Sequence, residues 1–159
     1  MILTIDPGLG GTGWALLPQT GAPIAHGIFK ATRGHWANRA TDLADALAEM
    51  LRDRCFCDDD ECYMEFPELF PGSAVSYAAT QQGDLFKLVY LIGKLSRVVT
   101  SFSGKEPKLI LPRSWKGQLP KAVVIRRIRA LWPDCKATSH DADAVGMGMM
   151  IQKGGVKFF

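Results

Sequence analysis

Asp6 ends a short apolar run, Ile2 to Ile5, and is followed at once by a glycine-rich turn, Pro7-Gly8-Leu9-Gly10-Gly11-Thr12-Gly13. A carboxylate delivered to a turn in this way is placed to hold a cation. Far along the chain, His140 and Asp143 stand at i and i+3 of a segment that reads as helix, so both lie on one face of its first turn and can address a single ion. Asp141 points to another side of that turn and suits the helix dipole instead, although its position does not exclude it from the ion. Glu65 falls near the end of a second short apolar run, Cys62 to Phe66. The alternative reading is an exposed strand-end glutamate.

Gly8, Gly10 and Gly13 also satisfy the G-x-G-x-x-G spacing of a dinucleotide-binding turn. That fingerprint must open a helix whose N-terminus holds the pyrophosphate, and it wants an acidic residue about 20 positions on. The residues after Gly13 read as strand, and no acid occurs between Asp6 and Asp42. A lobe of the actin-like and sugar-kinase ATPases is disfavoured because two such lobes must face each other, and this chain has room for one.

The elements that must position these groups follow from periodicity. Ile2–Ile5, Thr12–Leu17 and Ile24–Ala31 are short, apolar and bounded by Pro and Gly, which predicts a meander of three antiparallel strands with Asp6 on the first. Ala40, Leu43, Ala44, Leu47, Ala48 and Leu51 form the stripe of an amphipathic helix. The strand entered through that crossover, Cys62–Phe66, should run parallel to the first, which brings Glu65 beside Asp6. The acidic run Asp58-Asp59-Asp60-Glu61 reads as a solvated loop. Ser73 to Phe102 is largely helical, with a break or bend at Gly83-Asp84. Its apolar stripe is wider than one small sheet needs and suits either a homodimer seam or a core helix.

Lys108–Leu111 reads as the last strand, leading to a basic loop, Pro112 to Lys121, with one exposed aromatic, Trp115. A helix from Ala122 to Trp132 follows. Ser139 is placed to N-cap the final helix, His140 to Lys153, where Gly146 and Gly148 would allow close approach to the sheet.

A chain of 159 residues with 47% hydrophobic composition can bury a core as one domain, residues 1–159. No apolar run reaches the roughly 18 residues of a membrane span and no signal-peptide pattern opens the chain, so a cytoplasmic protein with no membrane partner is expected. The net charge of +3 is unevenly placed: Lys105 to Lys136 carries nine Lys and Arg against two acids. That segment, with Arg113, Lys116, Lys121, Arg126 and Arg127, is either a nucleic-acid surface or a solvated face. The loop after Glu65 carries Phe66 and Phe70, which can stack on an unpaired base or pack on the core. Cys55, Cys57, Cys62 and Cys135 lack the spacing of common zinc knuckles and read as thiols at a turn.

Taken together, Ile5-Asp6-Pro7-Gly8 with Thr12-Gly13-Trp14, the strand-end Glu65, and His140-x-x-Asp143-Ala144 resemble the RuvC family of Holliday-junction resolvases, within the ribonuclease H-like superfamily. The resemblance spans nearly the whole chain. It implies an α/β fold, a mixed five-stranded sheet of three antiparallel N-terminal strands and then parallel strands, with helices on both faces. It further implies a homodimer whose two sites cut a four-way junction symmetrically. Asp6, Glu65, His140 and Asp143 match the family's four metal-binding positions, and Lys116 and Lys121 match basic residues beside the scissile phosphate. A junction-stacking phenylalanine belongs to the loop after Glu65, but neither Phe66 nor Phe70 sits at the usual offset. The short chain fits a phage-encoded branch.

Clustered carboxylates repel one another, and a hard divalent cation relieves this. The expected chemistry is therefore hydrolysis of branched DNA with two Mg²⁺ or Mn²⁺ ions per site, leaving a 5′-phosphate and a 3′-hydroxyl. Competing readings are a YqgF-like nuclease acting on ribosomal RNA precursors, a flap and fork endonuclease, and a non-catalytic nucleic-acid-binding module.

Overall fold

Three strands open the chain, β1 (Ile2–Asp6), β2 (Thr12–Leu17) and β3 (Ala25–Phe29), each antiparallel to the one before. The computed structural model describes residues 1–68 and 80–155. It continues through α1 (Trp36–Asp53) to β4 (Glu61–Glu65), which pairs parallel to β1. Then come α2 (Asp84–Ser103), β5 (Lys108–Ile110) parallel to β4, the single turn α3 (Pro112–Trp115), α4 (Lys121–Leu131) and α5 (His140–Gln152). The sheet has five strands in the order β3-β2-β1-β4-β5, the mixed α/β arrangement expected.

Alternation along the strands sorts the side chains into two cores. Leu3, Ile5, Leu16, Cys62 and Met64 point to the face covered by α1 and α2, where Leu43, Leu47, Leu51, Leu91 and Leu95 are fully buried. Each such leucine contributes about 1.5–3 kcal/mol. Ile2, Ala15, Leu17, Tyr63 and Ile110 point to the other face, against α3, α4 and α5. Asp6 and Glu65 keep step with this second set, so α5 and both carboxylates share one side of the sheet.

Helix α5 is buried from Asp141 to Met149 and shows no polar stripe. Small residues let it lie close: a Cβ on Gly13 would sit 2.2 Å from the His140 carbonyl, and one on Gly148 would sit 2.4 Å from the Leu17 side chain. Gly146 serves differently from expectation, facing Val124 and Trp115 rather than the sheet. The Thr4 hydroxyl donates to the Ala144 carbonyl at 2.8 Å and pins helix to strand.

Several local expectations are corrected. Within the acidic run Asp58 and Asp59 are exposed, but Asp60 is buried, accepting the Cys57 N–H at 3.0 Å and pairing with the Met1 amine. Burial raises its carboxyl, yet these partners outweigh burial and hold it low. Trp115 is 5% exposed, because α3 turns it under α5 beside Gly146. The Ser139 side chain makes no capping bond; Asp141 takes that place. Cys62 and Cys135 lie in cores on opposite faces of the sheet and cannot share an ion. Gly83, at φ 71°, precedes α2 and marks the expected break, while residues 73–79 lie outside the described residues. No helix among the described residues is long and apolar enough to cross a membrane.

Candidate active site at the carboxyl edge of the sheet

Asp6 and Glu65 are the last residues of two adjacent parallel strands, one step beyond the Ile5–Met64 pair, so their backbones arrive at the same edge. Asp6 also pairs in register with Gly13 on β2, over which the first turn of α5 lies. The missing side chain at Gly13 is what brings His140 down to the strand end. His140 Nδ1 then meets Asp6 Oδ2 at 2.7 Å. That hydrogen bond holds the imidazole above its ordinary 6.5, against the opposing effect of partial burial.

The other half of the site gathers around two lysines. Lys116 Nζ lies 3.4 Å from Glu65 Oε2 and 3.9 Å from Asp143 Oδ2, and Lys121 Nζ lies 2.8 Å from the same Asp143 oxygen. One ammonium therefore sits within 4 Å of carboxylates from β4 and α5. Burial, and then the Asp6 carboxylate, push the Glu65 carboxyl above 4.5, only partly countered by Lys116 and by the Trp115 indole, which donates to Oε2 at 2.7 Å. Glu65 thus feels Asp6 and Asp143 as neighbouring negative charges.

Asp141 faces away from this group. Its Oδ1 accepts the backbone N–H of Thr138, Ser139 and Ala142, and its Oδ2 meets His26 on β3 at 3.0 Å. Burial would raise this carboxyl, but the Ser139 and Thr138 N–H groups and His26 hold it below the ordinary aspartate range. It caps the first turn of α5, the place expected of Ser139, and lies apart from the other carboxylates as its position on the turn implied.

Among the other candidates, Arg113 pairs with Glu68 at 2.9 Å, and Arg126, Arg127 and Arg129 are exposed on α4. Phe66 is half-buried and packed on the α1–α2 core. Phe70 lies outside the described residues. Cys57, Asp58 and Asp59 bring ligand atoms within 4.8 Å of one another, but on a surface loop at the opposite end of β4 from Glu65. Sequence reasoning missed two positioning residues, Trp115 and Gly13. A glycine inside a strand is itself a mark of close backbone approach, so Gly13 was findable; Trp115 carried no such mark.

The donor set suits a hard cation: three carboxylates and an imidazole, converging from β1, β4 and α5. Asp6 is hydrogen-bonded to His140 and Asp143 is paired with Lys121, so an ion taking either carboxylate displaces that contact.

No protein-family model and no curated protein matches the sequence. Solved structures do match. The structure of Thermus thermophilus RuvC superposes with a TM-score of 0.62 at 17% identity, covering 99% of each chain. T. thermophilus RuvC in complex with a Holliday junction substrate superposes with a TM-score of 0.62 at 18% identity, covering 100% of each chain. The chain has the RuvC-like fold.

Proposed function

We propose that this chain is a divalent-metal-dependent endodeoxyribonuclease that resolves four-way DNA junctions by paired symmetric nicks. The observation that carries this reading is the meeting of Asp6, Glu65, His140 and Asp143 at one sheet edge with Lys116 and Lys121 among them. The fold it shares with a RuvC solved on a Holliday junction substrate supports the choice of DNA.

Asp6, Glu65, Asp143 and His140 would hold Mg²⁺ or Mn²⁺, two ions per site, which when bound supply an activated water and neutralise charge at the phosphate. The chain's own contributions are positional and electrostatic. Glu65 is costly to ionise where it stands, so the pocket favours positive charge. Trp115 fixes one Glu65 oxygen and lies beneath the Lys116 ammonium, 4.8 Å from its ring centroid. Lys116 and Lys121 are in place to offset charge developing on the scissile phosphate. In-line displacement by water leaves a 5′-phosphate and a 3′-hydroxyl. Arg113, Arg126 and Arg127 add sequence-blind, salt-dependent phosphate contacts.

Paired nicks need two sites, and α2 exposes Phe86 (67%), Val89 (41%) and Tyr90 (45%) on the side away from its buried Leu91, Leu95 and Val99. This face is the seam of the proposed homodimer. The decisive experiment incubates the purified protein with an end-labelled immobile junction, with and without Mg²⁺, and maps the nicks beside forks and RNA substrates. Symmetric metal-dependent nicks are expected; cleavage that persists in chelator, or that is confined to RNA, would sink the proposal.

A further inference from the structure

A second line of polar groups runs through the molecule apart from the carboxyl-edge carboxylates. Asp141 Oδ1 is saturated by the N–H groups of Thr138, Ser139 and Ala142 at 3.1, 2.9 and 3.0 Å, and its Oδ2 faces His26 Nδ1 at 3.0 Å. A carboxylate only accepts, so Nδ1 carries the hydrogen and Nε2 is turned the other way. Opposite Nε2, at 3.6 Å, lies the Cys135 sulfur. Thiol, base and orienting carboxylate therefore stand in line, the order that activates a nucleophile.

This line opens on a cavity of about 670 Å³ whose walls include His26, Cys135, Trp14, Trp132, Arg54 and Asp134. Cys135 is only 8% exposed. The cavity gives a small molecule a route to this residue that the bulk surface does not present. We propose that Cys135 is a reactive thiol, activated by His26 and oriented through Asp141, that undergoes exchange with small disulfides entering this cavity.

In the step, His26 Nε2 takes the thiol proton as Cys135 Sγ attacks one sulfur of the disulfide. The reagent's S–S bond breaks as the new one forms. The departing thiolate takes the proton back from His26, so one sulfur of the reagent is reduced to thiol while Cys135 is oxidised to the mixed disulfide.

The chain holds its own controls. Cys62 is buried in the α1–α2 core, and burial pushes its thiol up. Cys55 and Cys57 are exposed, and the Cys57 thiol donates to Asp60 Oδ2 at 3.7 Å. Structural buried thiols are inert, so burial alone predicts that Cys135 behaves like Cys62.

The test treats the native chain with dithiodipyridine and follows each cysteine by peptide mass. Cys135 should acquire the mixed disulfide at a rate comparable with Cys55 and Cys57, while Cys62 stays unmodified. His26→Asn keeps an amide donor near the Nδ1 position but has no atom at Nε2. It should slow Cys135 at least about ten-fold and leave Cys55 and Cys57 unchanged. Modification of Cys135 only in denaturant, together with Cys62, overturns the proposal, as does an unchanged rate in a folded His26→Asn. Should that variant not fold, the wild-type contrast between Cys135 and Cys62 decides.

Discussion

Gly10, in the turn between β1 and β2, and Gly13, on β2 itself, should respond differently to the same added methyl group. At Gly13 an alanine Cβ would stand 2.2 Å from the His140 carbonyl carbon and oxygen and 2.7 Å from the Asp141 nitrogen, all backbone atoms that no rotamer change can clear. Ordinary contact begins at 3.4 Å, so β2 and the first turn of α5 must part by roughly 1.2 Å. His140 and Asp143 ride on that turn, while Asp6 is held in register with Gly13 itself. The 2.7 Å contact between His140 and Asp6 cannot survive the movement. Overpacking of this kind costs about 1–3 kcal/mol, or about 2–12 °C in melting temperature for a chain of this size. A displacement near 1 Å at a catalytic centre costs on the order of 10²-fold in rate. At Gly10 an added Cβ meets nothing within 4 Å, so Gly10→Ala should stay within about 0.5 kcal/mol of wild type and nick at the wild-type rate. The assay is thermal unfolding followed by single-turnover nicking of a four-way junction. If Gly13→Ala melts and cuts like Gly10→Ala, the close approach of α5 is not what builds the site.

Three further outcomes follow from the same geometry. Both raised pKa values make the fold less stable as pH rises: ionising Glu65 is a cost that grows as pH passes 4.5 and is complete above its higher folded value, and the stabilisation from protonated His140 is fully present below about 6.5 and is lost above that, through its own folded value. Glu65→Gln should therefore flatten the acidic part of a stability–pH curve and His140→Gln the part above about 6.5; identical curves would contradict the assignments. With a dissociation constant of about 1 mM, Mg²⁺ at about 10 mM should stabilise the protein by about 1.4 kcal/mol, seen as about 3–6 °C in melting temperature and absent in Asp143→Asn. Phe86→Glu should leave the protein folded but shift it from dimer to monomer in sedimentation, and a wild-type species already monomeric at micromolar concentration would remove the seam from the account.

Much of this architecture was legible from residue pattern, for identifiable reasons. Short β-branched runs between Pro and Gly mark the strands, and the crossover rule alone places Glu65 beside Asp6. Ala40 to Leu51 announced α1 because only one of its faces is buried. Helix α5 gave no such stripe, since it is buried all round, and was found through its cap region and its histidine–aspartate spacing instead. What stayed hidden were properties that depend on what lies opposite. The basic neighbours of Trp115 suggested exposure, but α3 folds it inward onto Glu65. Asp60 looked like one of four equivalent acids until the Met1 amine singled it out. Ser139 had the composition of an N-cap, yet Asp141 two residues later accepts the Ala142 N–H that a Ser139 cap would take, along with the N–H groups of Thr138 and Ser139. The link between His26 and Cys135 joins residues more than a hundred positions apart and has no local signature.

The central claim is that one anionic pocket, shared by strand ends and a helix start, cuts DNA with the help of divalent ions. Its most direct test measures nicking and binding of a labelled four-way junction by Asp6→Asn and Asp143→Asn in Mg²⁺, side by side with wild type. The account predicts that each variant loses cleavage while its affinity for the junction stays within a few-fold of wild type. Retained nicking by either one would contradict it.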